Sequence, residues 1–401
     1  MMKNNLFELL APAGDLEKAK VAFDYGADAI FLGAKIFSLR ARASNFSYED
    51  IDYIINYAHN NNKKVYIVAN VLAHNNLLNE LDQYLKTITK YKPDGFIVAD
   101  PAIIYKLRNE YPDSEIHIST QQSITNSKSA LFWKRNSATR VVLARELTYD
   151  EIEQLVKNVN NQIEIEIFIH GAVCISYSGR CMMSNNFSLR DANVGGCAQS
   201  CRWTYEVLND DIKNKSKYFT MSAKDMAQID NLEKLMKLNI ASFKIEGRMK
   251  SLHYIANVIK NYRLAIDKIK VNNLNLVNEK NELLKSANRE FDTAFLSGTP
   301  DYTKMLYHDT HIDLSQKFVF IIHKKLENNF YEALVKNHFD INDQIEIMTK
   351  ENLFKNIKIK EIINEANNEK LLVCPTPMMK IKIKFDNFNE DIKNEVFGRI
   401  M

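Results

Sequence analysis

Glycine and proline are scarce in this 401-residue chain, with 11 and 7 residues respectively. No segment contains a GxGxxG or GxxxxGKS/T motif, so the usual loops that bind dinucleotides and nucleoside triphosphates are absent. The HExxH and GxSxG motifs are missing too, and with them the commonest signals of metallopeptidases and serine hydrolases. Apolar runs are too short for a transmembrane helix. The N-terminal residues lack a signal-peptide pattern, so we expect a cytoplasmic protein with no membrane partner.

An excess of charge of one sign is also lacking. The chain has 53 Lys and Arg residues against 50 Asp and Glu, which gives a net charge of +3. Domains that bind nucleic acids strongly are usually much more basic than this. Any contact with RNA would therefore depend on local basic patches.

Short apolar runs alternate with helical patterns through the first two thirds of the chain. Eight runs have the composition of strands: residues 7–10, 29–32, 65–68, 95–98, 115–119, 141–143, 164–169 and 242–245. Strict alternation of strands and helices indicates a parallel sheet, and eight units indicate a closed barrel. We predict an α/β fold with a TIM-like (β/α)8 barrel. An open doubly wound sheet is the alternative, because the sequence does not give the order of the strands.

The pattern changes after about residue 272. Residues 318–322, 344–348, 357–363 and 379–385 alternate with a period of two, as antiparallel strands do. We predict a catalytic barrel domain over residues 1–271 with a cysteine-rich insertion at 170–205, and a connecting segment over 272–310. Residues 311–401 are predicted to form a small antiparallel β domain that resembles a barrel.

Polar side chains are predicted at the carboxyl ends of the barrel strands, where active sites of this fold lie. Those that we single out are Arg40, Arg42, Arg145, His170, Lys244, Glu246 and Arg248. All barrels have polar loops, so position alone assigns no role to any one of them.

Cysteine is the residue with the most informative distribution. Four of the five cysteines, Cys174, Cys181, Cys197 and Cys201, fall within 28 residues with the spacing C-x6-C-x15-C-x3-C. Disulfides are disfavoured in a cytoplasmic protein, so metal binding is the better interpretation. Four thiolates hold either tetrahedral zinc or an iron–sulfur cluster, and the lack of CxxC pairs favours the cluster. Unligated buried thiols and a catalytic Cys174–His170 pair are the alternatives, and Cys374 is predicted to be an ordinary buried thiol.

Residues 167–202 (IFIHGAVCISYSGRCMMSNNFSLRDANVGGCAQSCR) resemble the signature of the U32 (collagenase-like) peptidase family. The resemblance extends to the segments ELLAPAGDLEKAKVAFDYGADAIFLGAKIFSLRARASNF, HISTQQSITN, ARELTYDEI, SFKIEGRMKS and REFDTAFLSG. It covers nearly all of residues 1–300, whereas the β domain matches only in position and character. Within the family, the chain is most similar to the bacterial tRNA hydroxylation proteins.

This resemblance implies an enzyme that hydroxylates the wobble uridine of tRNA to 5-hydroxyuridine without oxygen. It implies prephenate as co-substrate and a 4Fe–4S cluster held by Cys174, Cys181, Cys197 and Cys201, with zinc as the alternative metal. It also implies tRNA as a partner, and a paralogue or a second copy of the chain is a further candidate partner. A collagenase-like peptidase and a zinc-stabilised RNA-binding module are the competing functions.

Roles for the other site residues follow from the chemistry of that co-substrate. Prephenate is a small dicarboxylate, and arginine forks bind carboxylates in a bidentate manner. Arg40, Arg42, Arg145, Lys244 and Arg248 are therefore candidate substrate-binding residues. His170 and Glu246 are candidates for moving protons at the pyrimidine ring. For each of these charged side chains, a structural ion pair is the competing interpretation.

Overall fold

The computed structural model describes residues 7–39, 45–207, 217–307 and 316–400. Its first seven strands lie side by side in chain order, each parallel to the next. They are β1 (Glu8–Pro12), β2 (Ala29–Leu32), β3 (Lys64–Ala69), β4 (Gly95–Val98), β5 (Glu115–Ile118), β6 (Arg140–Val142) and β7 (Glu164–Ala172). All seven overlap the strands predicted from the sequence.

Helices connect these strands on the outside of the sheet. They are α1 (Leu16–Asp24), α2 (Tyr48–Asn60), α3 (Asn75–Leu78), α4 (Leu81–Ile88), α5 (Pro101–Glu110), α6 (Ser127–Arg135) and α7 (Tyr149–Val159). Local sequence explains where several begin: Ser47 and Thr148 form capping boxes at α2 and α7, and Pro101 occupies the first turn of α5. Within the described residues, no helix combines the length and apolar character needed to cross a bilayer.

The cysteine-rich segment separates β7 from the eighth barrel strand. It contains α8 (Met183–Ser188), β8 (Tyr205–Val207), β9 (Lys217–Phe219), β10 (Ser222–Ala223) and β11 (Asp225–Ala227). After α9 (Leu232–Met236), strand β12 (Ser242–Ile245) pairs in parallel with both β1 and β7. This pairing closes the barrel and confirms the predicted TIM-like fold. The long helix α10 (Leu252–Lys270) then packs against the outside.

The interior of the barrel holds a column of charged side chains. Arg140 Nη1 lies 2.6 Å from Glu8 Oε1 and 3.2 Å from Glu166 Oε2. Lys244 Nζ lies 2.7 Å from Glu166 Oε1, and the Glu166 and Lys244 side chains are almost fully buried. Buried charges are tolerated only when paired, so this column links the four side chains into one unit.

The described part of the predicted connecting segment, residues 272–307, packs along the barrel and contains regular structure. It includes α11 (Val277–Leu284), β13 (Phe291–Asp292) and β14 (Met305–Leu306). Strand β13 pairs in parallel with β11, and β14 pairs with β10. This segment therefore extends the barrel sheet beyond β7 and lies beside the cysteine-rich segment.

The C-terminal domain is a closed antiparallel barrel of six strands, as the alternating sequence pattern predicts. Its strands, with two short additional ones, are β15 (Lys317–Lys325), β16 (Phe330–Val335), β17 (Phe339–Asp340), β18 (Gln344–Met348), β19 (Leu353–Asn364), β20 (Val373–Cys374), β21 (Lys380–Phe385) and β22 (Val396–Ile400). Cys374 is fully buried in its core, which confirms that prediction.

The two barrels share one apolar interface. Ile321, Met348 and Phe397 of the C-terminal domain belong to the core of the first barrel. The hydroxyl of Tyr25, directly after α1, donates to the carbonyl oxygen of Glu395, at 2.9 Å. On α10, His253 is buried and its ring stacks on Phe318 with 5.2 Å between ring centroids. The domains therefore pack as one body.

We expect His253→Phe to reduce the loss of stability in acid. Burial, and secondarily the charge of nearby Arg399, lowers the pKa of His253 to about 3. Histidine in the unfolded chain titrates near pH 6.5, so only the unfolded chain gains this proton as the pH falls from 6.5 towards 3. The free energy of unfolding therefore decreases through that window, by about 2 kcal/mol at pH 5 for this one group. Urea unfolding at pH 8 and pH 5 measures the difference, and an equal decrease in both proteins would contradict this assignment.

Candidate functional site

A cavity of about 460 Å³ opens at the carboxyl ends of the barrel strands. Its walls come from the strand ends, the cysteine-rich segment and the segment around β13. Four thiols, six cations and two carboxylates line it: Cys174, Cys181, Cys197, Cys201, Arg145, Arg202, Lys244, Arg248, Lys250, Arg289, Glu146 and Glu246. The cavity is therefore both rich in sulfur and strongly cationic.

Hydrogen bonds fix the cysteine-rich segment to the barrel. Glu146, in the loop after β6, accepts hydrogen bonds from the backbone N–H and the hydroxyl of Ser178. Gly171 has φ +115°, and a Cβ at that position would lie 2.5 Å from the Glu246 carbonyl oxygen. Only glycine fits where the chain leaves β7 at this close approach to the loop after β12. These contacts place Cys174 at the cavity wall.

The four thiols lie within electrostatic range of one another. Burial raises the pKa of Cys174; Arg145 counteracts this, and the charges of Cys181 and Cys197 raise it further. Burial also raises the pKa of Cys201. The charge of Arg202 lowers this pKa, whereas the charges of the other three thiols raise it further. Cys174 is nevertheless solvent-accessible, because it faces the cavity from within a protein-lined recess. Burial therefore favours the protonated forms of Cys174 and Cys201, and a bound metal cation would reverse this preference.

The donor set suits a thiolate-ligated metal group, since four cysteines line one cavity. Among the residues that the structure describes, however, no group of three or more His, Cys, Asp or Glu side chains is arranged to hold a metal ion. The thiols share the cavity without converging on one point, so joint ligation of one metal group would require them to move closer together.

Three of the predicted substrate-binding residues line the cavity, each already engaged by the protein. The Arg145 guanidinium lies 3.8 Å from the centre of the Phe168 ring and donates to the Ala172 carbonyl oxygen. Arg248 donates to the Ser38 hydroxyl at 2.7 Å and to Asn45 Oδ1 at 2.9 Å. Lys244 lies at the end of the interior charged column that faces the cavity, and it pairs with Glu166. Arg40 and Arg42 lie outside the described residues.

The structure places the two candidate proton-transfer residues differently. Glu246 lines the cavity directly after β12. His170 does not line it: the side chain is buried against α10, with Nδ1 3.3 Å from the Tyr262 hydroxyl and the ring packed on Tyr254 and Phe291. Burial, and secondarily Lys250, lowers the pKa of His170 to about 3. His170 is therefore a neutral, packed side chain at ordinary pH.

Sequence reasoning missed several charged residues of the cavity. Arg289 lies just before β13, in the segment that we treated as a connection, and Lys250 lies four residues beyond Glu246. Both occur within conspicuous segments of the sequence, REFDTAFLSG and SFKIEGRMKS, which were the available signals. Glu146, which anchors Ser178, was not among the side chains singled out either.

Known proteins resemble this chain over most of its length. It is 41% identical over 390 residues to tRNA hydroxylation protein P1 of Bacillus subtilis, which covers 94% of this chain and 92% of that protein. It is 39% identical over 301 residues to an uncharacterized protease of Methanocaldococcus jannaschii, covering 72% and 73%. A 23S rRNA 5-hydroxycytidine synthase of Escherichia coli is 33% identical over 300 residues, covering 74% of this chain and 44% of that protein.

The family profiles account for both domains. Residues 14–306 match peptidase family U32, and these residues include the whole cysteine-rich segment and the cavity. Residues 315–393 match the C-terminal domain of the same family. The sequence resemblance is thereby confirmed, and the chain belongs to peptidase family U32.

Proposed function

We propose that this protein is an RNA hydroxylase that converts the wobble uridine of tRNA to 5-hydroxyuridine without oxygen. The proposal includes prephenate as co-substrate and a 4Fe–4S cluster ligated by Cys174, Cys181, Cys197 and Cys201. The observation that carries it is the cavity at the catalytic end of the barrel, where the four thiols and six cations meet. The names of the Bacillus and Escherichia relatives, both concerned with RNA hydroxylation, support that part of the proposal.

The residues of the cavity suit a base that is already unpaired. An anticodon loop presents its wobble base outside a duplex, so the protein does not have to open base pairs. Tyr177, Trp203 and Met249 stand exposed on the cysteine-rich segment and beside the cavity, where rings and apolar side chains can stack against nucleotides. The local cationic surplus offsets the near-neutral charge of the chain as a whole.

Different side chains of the cavity would bind the co-substrate and transfer the proton. Arg145 and Arg248 would orient the carboxylates of the co-substrate through charge-assisted hydrogen bonds. Glu246 would take the proton that leaves the C5 position of the pyrimidine as the C5–H bond is replaced by a C5–O bond. This replacement is a two-electron oxidation, so in this proposal the co-substrate supplies the oxygen atom and accepts the electron pair. The cluster, when bound by the thiolates, would supply electron-transfer chemistry.

Deleting the gene should remove 5-hydroxyuridine from total tRNA, and the wild-type gene should restore it. A gene carrying Glu246→Gln should restore about 1% of the level or less in a short expression pulse, because loss of a general base costs about 100-fold or more. Nucleoside mass spectrometry gives the measurement. The control is Glu153→Gln, which alters a carboxylate on α7 that pairs with Lys157 outside the cavity. Unchanged nucleosides after deletion, together with gelatin cleavage by the pure protein, would favour the peptidase.

A further inference from the structure

Behind the cavity wall, the buried carboxylate of Asp225 pairs with two of the cations that line the cavity, and a third cation, Arg202, lies nearby. Arg289 Nη1 lies 2.8 Å from Asp225 Oδ1, and Lys250 Nζ lies 3.5 Å from Asp225 Oδ2. Arg202 is near enough for its charge to lower the pKa of both Lys250 and Arg289, after the larger effect of burial. Strands β11 and β13 bring Asp225 and Arg289 together, because the two strands pair in parallel. The group is therefore assembled by the sheet and is not a chance surface contact.

The charges of this group do not balance. Three cations against one carboxylate leave a formal surplus of two positive charges, and all three cations line the cavity. Arg289 is only 5% exposed, and although its Nη1 pairs with Asp225, its Nε has no hydrogen-bond partner within the described part of the chain. A buried guanidinium with an unused donor is costly unless a ligand supplies an acceptor. This donor and the surplus of positive charge indicate that the wall is built for an anion.

We propose that Arg289, with Lys250 and Arg202, forms a subsite for a carboxylate group of a small co-substrate. A planar carboxylate matches the fork of a guanidinium, and a small molecule can reach a buried side chain more readily than the phosphates of an RNA backbone. This inference rests on the proposed function for the identity of the co-substrate. Arg289, just before β13, would then bind the co-substrate together with the arginines of the barrel loops.

The decisive experiment measures prephenate binding to the anaerobically purified, full-length protein by calorimetry. Arg289→Lys keeps a positive charge beside Asp225 but removes the fork, so we expect the protein to fold and to bind prephenate about 10–100-fold more weakly. Arg289→Gln should weaken binding at least as much. Lys224→Gln is the matched control, since Lys224 pairs with Glu290 next to Arg289 but does not line the cavity.

Other outcomes would overturn the assignment. Equal prephenate affinity in the wild-type protein and in Arg289→Lys would exclude a carboxylate subsite. If the variant also lost iron, the cations would instead serve to balance the negative charge of the thiolates. Weaker binding of a tRNA stem-loop with unchanged prephenate affinity would assign them to RNA phosphates. The readout is separate from hydroxylation: if tRNA is not modified by this protein but Arg289→Lys still loses carboxylate binding, the subsite stands and the proposed function fails.

Discussion

Replacing Cys181 with serine should remove most of the iron and the acid-labile sulfide from the protein and abolish 5-hydroxyuridine formation. Cys181 is a buried thiol of the cavity, and its charge acts on both Cys174 and Cys201. A serine hydroxyl is a much poorer ligand for iron than a thiolate, because it resists deprotonation near neutral pH. Iron and sulfide analysis of anaerobic protein, paired with the visible absorption spectrum, gives the measurement.

Cys374→Ala is the matched control for the cysteine variant. Cys374 is also buried, but it lies in the core of the C-terminal barrel, where burial raises its pKa to about 12. This variant should keep its iron and its activity. Full iron content and modification in Cys181→Ser would show that this thiol is not a ligand. If the wild-type protein contained one zinc per chain and no sulfide, the four thiols would form a zinc site and not a cluster site.

Replacing Glu166 with glutamine should destabilise the barrel by about 3–5 kcal/mol, the usual cost of leaving a buried charge without its partner. Glu166 is completely buried and stands between Arg140 and Lys244. Lys244 would lose its ion pair with Glu166 and would remain in the cavity wall as a desolvated ammonium. For a domain of this size the melting temperature should fall by roughly 10 °C. Thermal unfolding followed by circular dichroism measures the change.

Glu164→Gln tests whether burial is the cause of that effect. Glu164 lies on the same strand and also pairs with Arg140, at 2.8 Å, but its side chain is 53% exposed. Because water screens this pair, the variant should lose no more than about 1 kcal/mol. Similar losses in the two variants would contradict the view that the interior column depends on desolvated charge.

The sequence predicted the barrel because its strands are short, apolar and regularly separated by helices. It also identified the four thiols, since clustered cysteines are visible without a structure. Arg289 was missed because its place in the cavity depends on β13 pairing with β11, which is a long-range contact. Chain order contains no signal for such a contact.

His170 shows a different limit. Glu164, Glu166 and Phe168 alternate along β7 on the side that faces the barrel interior, and strict alternation would place His170 there too. The register with β12 instead shifts, so that Phe168 opposes Lys244 and His170 opposes Ile245. This irregularity turns His170 to the helix layer, against Tyr262. A one-residue change of register cannot be seen in the pattern of a single strand.

The charged column inside the barrel also determines the order of events at the site. Glu8, Arg140, Glu166 and Lys244 fill the axis beneath the cavity, so the column forms a closed floor. Molecules that use this cavity then enter and leave through the mouth beside the cysteine-rich segment. Under the proposed function, the small co-substrate has to bind before the anticodon loop covers that mouth. Steady-state kinetics should accordingly follow an ordered scheme, in which RNA is the last substrate to bind and the first product to leave.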